Sequence, residues 1–248
     1  MGCKYGKKFT LTFFFRSMLK LCLSVLTWYA VSFFNVMASK TYLNKHKRHG
    51  CIIYLTAIQF VGGIVIGGLT CALFQLLSRA PHRHIPILRV VFLSLTSMCG
   101  FLLMNECLGQ MDAAFAETIR GLEPLTSLLF LPVLTSRAIV VNSSLLASFM
   151  FIVTGIAVSL MTRAFSIVGL LLGLASNIMF SARSVIMTSI QDFSTLKTNS
   201  QTPWKQQEHL AMTLFFYQNS IGSLFLVPSA FFFEDKSCIA SNMAFRVT

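Results

Sequence analysis

The chain has 248 residues, 55% of them hydrophobic and only 11% charged, with a formal net charge of +12. Soluble domains carry about 25% charged residues, so this level, with 24 Phe and a mean hydropathy of +0.71, excludes a soluble globular protein. The surplus of cations then reads as membrane topology rather than as nucleic-acid binding.

The N-terminus, "MGCKYGKKF", is short and basic. Met-Gly-Cys with Lys7 and Lys8 suggests acylation at Gly2 and Cys3, but Gly6 stands where that motif wants Ser or Thr. Residues 1–20 are expected to form a cytosolic leader. Seven apolar runs follow, each close to the roughly 20 residues of helix that cross a bilayer. They lie near 21–39, 52–77, 87–108, 113–135, 144–161, 165–187 and 211–233. The expected class is therefore an all-α membrane protein of about seven transmembrane helices over 21–234, with a polar tail at 235–248.

Lys4, Lys7, Lys8, Arg16 and Lys20 precede the first run, and Arg79, Arg83, Arg89, Arg137, Lys197 and Lys205 fall on the same side. The opposite side has the shorter set: Lys40, Lys45, Lys47, Arg48, Arg163, Lys236 and Arg246. Positive-inside counting thus places the N-terminus in the cytosol. The sequon at Asn142 faces the cytosol on that topology and goes unused.

In the first run, "FFNVMASKTYL" is echoed in the sixth by "ASNIMFSARSVIM". Asn35, Val36, Met37 and Ser39 match Asn177, Ile178, Met179 and Ser181 at an offset of 142 residues (177 − 35). Lys40 and Arg183 follow as single cations. Repeats of this kind mark secondary transporters. On this reading five spans make one complete unit and the sixth opens a second. The same offset expects about 55 further residues to complete it. Gly63 and Gly67, like Gly169 and Gly173, have the GxxxG spacing of closely packed helices.

The fourth run holds "AETIRGLEPLTSLLF". A charge at mid-bilayer costs about 2.5–3.5 kcal/mol on insertion scales, so such residues face a bundle or a water-filled path. Glu117, Arg120 and Pro124 are spaced three and four apart and share one face. Glu123 is also within reach of Arg120. Pro124 cannot donate to the carbonyl of Arg120, and Gly121 loosens the same turn. The expected object is a kinked helix aiming a cation and freed backbone groups at an anionic substrate. A structural ion pair between Arg120 and Glu117 or Glu123 is the alternative. Asn105, late in the third run, is a candidate for lining the path.

Enzymatic, metal and cofactor motifs are not evident. The seven cysteines are scattered without a CxxC pair and are expected to be small packing residues rather than a disulfide framework.

"WYAVSFFNVMASKTYL", "ETIRGLEP" and "GLLLGLASNIMFSARSV" resemble the triose-phosphate/phosphate translocator family, within the drug/metabolite transporter superfamily. The likeness runs from about Trp28 to Glu234. It implies ten helices in two inverted halves, hence a chain truncated at its C-terminus. It implies exchange of phosphorylated sugars, triose phosphates or related anions for phosphate across a plastid or Golgi/ER membrane. The partners are then a small anionic phosphorylated substrate and the lipid bilayer, with no nucleic acid. The family's pocket lysine falls on Arg120 and its sixth-helix arginine on Arg183. Its third-helix His and Thr fall on Phe101 and Met104, and the His before the pocket lysine on Glu117. The family's C-terminal Lys-Arg pair lies past Thr248. The expected substrate-binding set is Arg120, Arg183, Lys40, Glu123 and Asn105, with Gly121 and Pro124 as the bend. A truncated, non-transporting paralogue or regulatory membrane protein is the other reading.

Overall fold

The computed structural model describes residues 6–46, 51–77, 86–123, 125–128, 143, 147, 150–151, 153–155, 158, 166–196 and 204–234. Regular structure among them is helical throughout. We label the helices α1 (Gly6–Lys45), α2 (Ile52–Leu77), α3 (Ile87–Gln110), α4 (Ala113–Arg120), α5 (Ile167–Leu196) and α6 (Trp204–Phe233).

Among the described residues, five helical stretches are long and apolar enough to cross a membrane: Cys22–Lys45, Ile52–Leu73, Ile87–Gln110, Ile167–Gln191 and Leu210–Phe233. The protein is an all-α, multi-pass integral membrane protein. The expected spans at 113–135 and 144–161 are described only in part, and residues 129–142 and Pro124 lie outside the described residues.

The chain divides into two compact units, Met1–Tyr42 and Leu43–Thr248. The first holds most of α1, which starts at Gly6 and not near residue 21 as the hydropathy of the run suggested. The reason is local. After Gly6 no Gly or Pro interrupts the sequence before Lys45, so the helix has nothing to stop it.

In the second unit, α3 packs mainly on α5, and α2 on α6. Small residues set both contacts. A Cβ on Gly63 would lie 2.6 Å from the Asn219 side chain, and one on Gly67 3.3 Å from the Phe216 Cα. On α5, a Cβ at Gly169 would lie 2.5 Å from Met111 Cε, and at Gly173 3.0 Å from Ile119 Cγ2. Both GxxxG pairs thus lie at close helix contacts, as their spacing predicts, Gly67 against backbone and the other three against side chains. Around these seams, apolar side chains form two clusters, one of Val90, Leu93, Ile190, Leu210 and Leu214 and one of Ala57, Phe60 and Leu226.

The outer surface is apolar: Val65, Ile66, Leu69, Leu171, Phe231, Phe232 and Phe233 are all exposed. The interior holds Thr56, Ser94, Asn105, Ser176, Asn177, Ser181 and Gln218. That inversion suits lipid, where a buried polar group must find a partner inside the protein. Ser94 Oγ donates to the Gln218 carbonyl at 2.7 Å, joining α3 to α6, and Ser176 Oγ to the Gly100 carbonyl at 2.8 Å, joining α5 to α3.

At one end of the bundle, Glu234, just past α6, reaches the start of α2. Its Oε1 accepts the Ile53 N–H at 2.5 Å and its Oε2 the Tyr54 N–H at 2.8 Å. These amides belong to the first turn of α2 and have no helical acceptor of their own. Beside them is an open cleft of about 420 Å³ lined by Ile52, Ile53, Leu102, Leu103, Glu106, Phe233 and Glu234. Cys51, adjoining α2, is disulfide-bonded, while Cys22, Cys71, Cys99 and Cys107 are not in disulfides. This corrects the expectation that every cysteine is a packing residue. Spacing along the chain does not reveal which cysteines meet.

Candidate functional site

The site begins where α4 ends. After Arg120 the chain turns through Gly121 and Leu122 before helical structure resumes at 123 and 125–128. Gly121 keeps right-handed dihedrals (φ −57°, ψ −16°). Its N–H bonds to the Glu117 carbonyl at 3.0 Å, and the Leu122 N–H to the Ile119 carbonyl at 2.9 Å. The hydrogen bonding thus tightens to an i→i+3 step at the charged segment.

α5 packs against this break with one face. Asn177, Phe180 and Ser181 stand at i, i+3 and i+4, so all three point the same way. Asn177 is buried and donates Nδ2–H to the Ile119 carbonyl at 2.7 Å, satisfying an acceptor in the last turn of α4. The Ser181 hydroxyl meets Thr126 Oγ1 at 2.7 Å and Ser127 Oγ at 3.1 Å, tying α5 to the helical segment after the break.

Between these two polar ties lies Phe180, which is 1% exposed. The Arg120 guanidinium carbon is 5.4 Å from its ring centroid and that of Arg183 is 5.3 Å away. One aromatic ring therefore carries two cations, each within cation–π range. The ring is itself fixed. Phe101 meets it edge-to-face at 5.2 Å, and a Cβ on Gly100 would lie 2.9 Å from its Cε1.

Carboxylates balance the two guanidiniums. Glu117 Oε1 is 3.7 Å from Arg120 Nη1, and Glu123 and Arg120 both act on Arg183 through space. The Glu117–Arg120 separation is that of a loose ion pair, longer than a charge-assisted hydrogen bond. Arg120 and Arg183 thus share one ring, and Glu123 follows in the chain just past the turn after α4.

Of the remaining expected residues, Asn105 sits elsewhere. Asn105 is buried on α3, and its amide nitrogen donates to Thr56 Oγ1 at 2.9 Å and Gln59 Oε1 at 3.0 Å. Both amide hydrogens are spent on α2, so the structure places Asn105 in a helix–helix contact rather than beside the arginines. Lys40 lies half-buried on α1, in the N-terminal unit. Phe180, Thr126, Ser127 and Ser181 were not singled out as site residues from the sequence. Ser181 stood in the internal echo, but a Phe among 24 carries no signal until the fold sets two arginines over it.

Two guanidiniums over a buried ring suit an oxyanion, because their planar donor forks match phosphate geometry. The triose-phosphate transporter family model matches residues 19–247. The chain belongs to that family. Its members are transporters and not enzymes, and the family handles phosphate-linked solutes. A search of curated proteins found no match.

Proposed function

We propose that this triose-phosphate transporter family member is a secondary antiporter. It exchanges phosphorylated sugars or related organophosphates for phosphate or a related anion across an intracellular membrane. The observation that carries this reading is the pair of guanidiniums, Arg120 and Arg183, held over Phe180 beside a break in helical structure. Such breaks at membrane depth are where transporters bind charged substrates. Arg120 and Arg183 grip the phosphoryl oxygens, Glu123 orients Arg183, and Gly121 and Pro124 provide the bend. Asn105 supports the path wall through α2.

The disulfide at Cys51 favours an endomembrane of the Golgi/ER type over a plastid membrane. Disulfides persist in oxidising lumens, and one span separates Cys51 from the basic N-terminus. With a cytosolic N-terminus, which the distribution of Lys and Arg supports, Cys51 lies on the lumenal side.

The decisive experiment is counter-exchange in proteoliposomes preloaded with phosphate. Uptake of labelled triose phosphate, hexose phosphate or nucleotide sugar that depends on internal phosphate is expected. A correctly inserted protein that exchanges none of them contradicts the proposal.

A further inference from the structure

The charges around Phe180 pose a problem for a doubly charged substrate. On α4, the turn after it and α5, Arg120 and Arg183 are matched by Glu117 and Glu123, so the four side chains cancel. A phosphate monoester is largely a dianion near neutral pH, since its second pKa is about 6. Placing it on the two arginines leaves two negative charges uncompensated. Uncompensated charge is costly away from water, and a carboxylate in that position takes up a proton instead.

Of the two carboxylates, Glu117 is the one built to do so. It pairs with Arg120 at 3.7 Å, and its shielded Oε1 has no hydrogen-bond partner. An anion arriving at Arg120 would take over that charge and face a carboxylate one turn away on the same helix. Glu123, by contrast, acts on Arg183, which the substrate also needs. The other described ionisable side chains on the elements packed against α4 are Arg89, Cys99, Glu106 and Cys107 on α3 and Arg183 on α5, with Asp112 just before α4. Arg89 is turned to Ser189, Glu106 accepts from Gln110, and Cys107 packs against Gly173.

We infer that Glu117 is a protonatable counter-ion of Arg120, and that binding of a dianionic phosphate monoester is linked to uptake of one proton at the Glu117 carboxyl. In the empty site the carboxylate holds Arg120. On binding, the substrate oxygens replace it as acceptors of the Arg120 N–H groups, and a proton from solvent adds to a Glu117 oxygen. Both leave when the substrate is released. This rests on the exchange function proposed above.

Isothermal titration of the purified full chain tests it, using a monoester that the exchange assay transports. Titrations run at pH 8 in buffers of different ionisation enthalpy, which counts protons taken up per ligand bound. About one proton is expected for the wild type and for Glu117→Asp, and none for Glu117→Gln. Binding by the wild type without proton uptake overturns the linkage and leaves the transport reading standing. Equal uptake in the wild type and a folded Glu117→Gln also overturns it, because the proton then sits elsewhere. If no monoester is exchanged or bound, the transport reading fails and this inference with it.

Discussion

Arg183 shows what a single side chain decides here. It shares the Phe180 ring with Arg120, and a guanidinium does this in a way an ammonium does not. Its flat, weakly hydrated face stacks while its edge presents paired donors. Arg183→Lys keeps the charge but loses the stack and the fork. We expect KM for the exchanged monoester to rise roughly tenfold, the equivalent of losing about 1.4 kcal/mol, with little change in thermal stability. An unchanged KM would mean that the substrate uses Arg183 only as a point charge. Asn177 acts differently, through the backbone. Asn177→Leu leaves the Ile119 carbonyl with only the Leu122 N–H, and losing one such hydrogen bond costs about 0.5–1.5 kcal/mol. A lower melting temperature in detergent is expected.

At the scale of elements, glycines set how closely the helices approach. A Cβ on Gly222 would overlap Phe60 Cε1 and lie 2.5 Å from Cδ1, and Phe60 is 1% exposed with no room to retreat. Gly222→Ala is therefore expected to destabilise the α2–α6 pair by about 1–3 kcal/mol, the usual cost of overpacking. Unchanged melting would show that these helices slide freely.

The same pair of helices is joined by Glu234. Burial raises its pKa above the ordinary value of 4.5, and the N–H groups of Tyr54, Ile53 and Ile52 pull it only part of the way back. A carboxyl whose pKa is raised on folding stabilises the protein fully below its unfolded value. That contribution is lost as pH rises through the folded value. Melting temperature should therefore fall as pH increases from about 4.5 through the raised value. In Glu234→Gln, which has no charge to bury, that component of the slope should vanish. A slope identical in the two proteins would assign it to another group.

For the molecule as a whole, the testable property is orientation. With the N-terminus in the cytosol, the Asn142 sequon is on the cytosolic face and stays unglycosylated when the protein is made in a eukaryotic cell. Endoglycosidase should produce no mobility shift, and a shift would reverse the topology.

The membrane class, the family and the charged segment at 116–130 were all legible in the residues. Each depends on features a linear chain states outright: run lengths set by bilayer thickness, a hydropathy far from soluble values, and charges that lipid forbids without a purpose. GxxxG spacing likewise announced close packing, because helical periodicity is local. What the sequence left open were matters of pairing across distance. Asn105 and Asn177 are the same residue type in similar apolar surroundings, yet one joins α2 to α3 while the other supports the broken end of α4. Only the packing of helices determines which partner each meets. The tertiary structure alone set Arg120 and Arg183 on the ring of Phe180, 60 positions beyond the first of them, and closed the start of α2 with Glu234. Contacts of this kind follow from three-dimensional fit, and hydropathy along a single helix does not encode them.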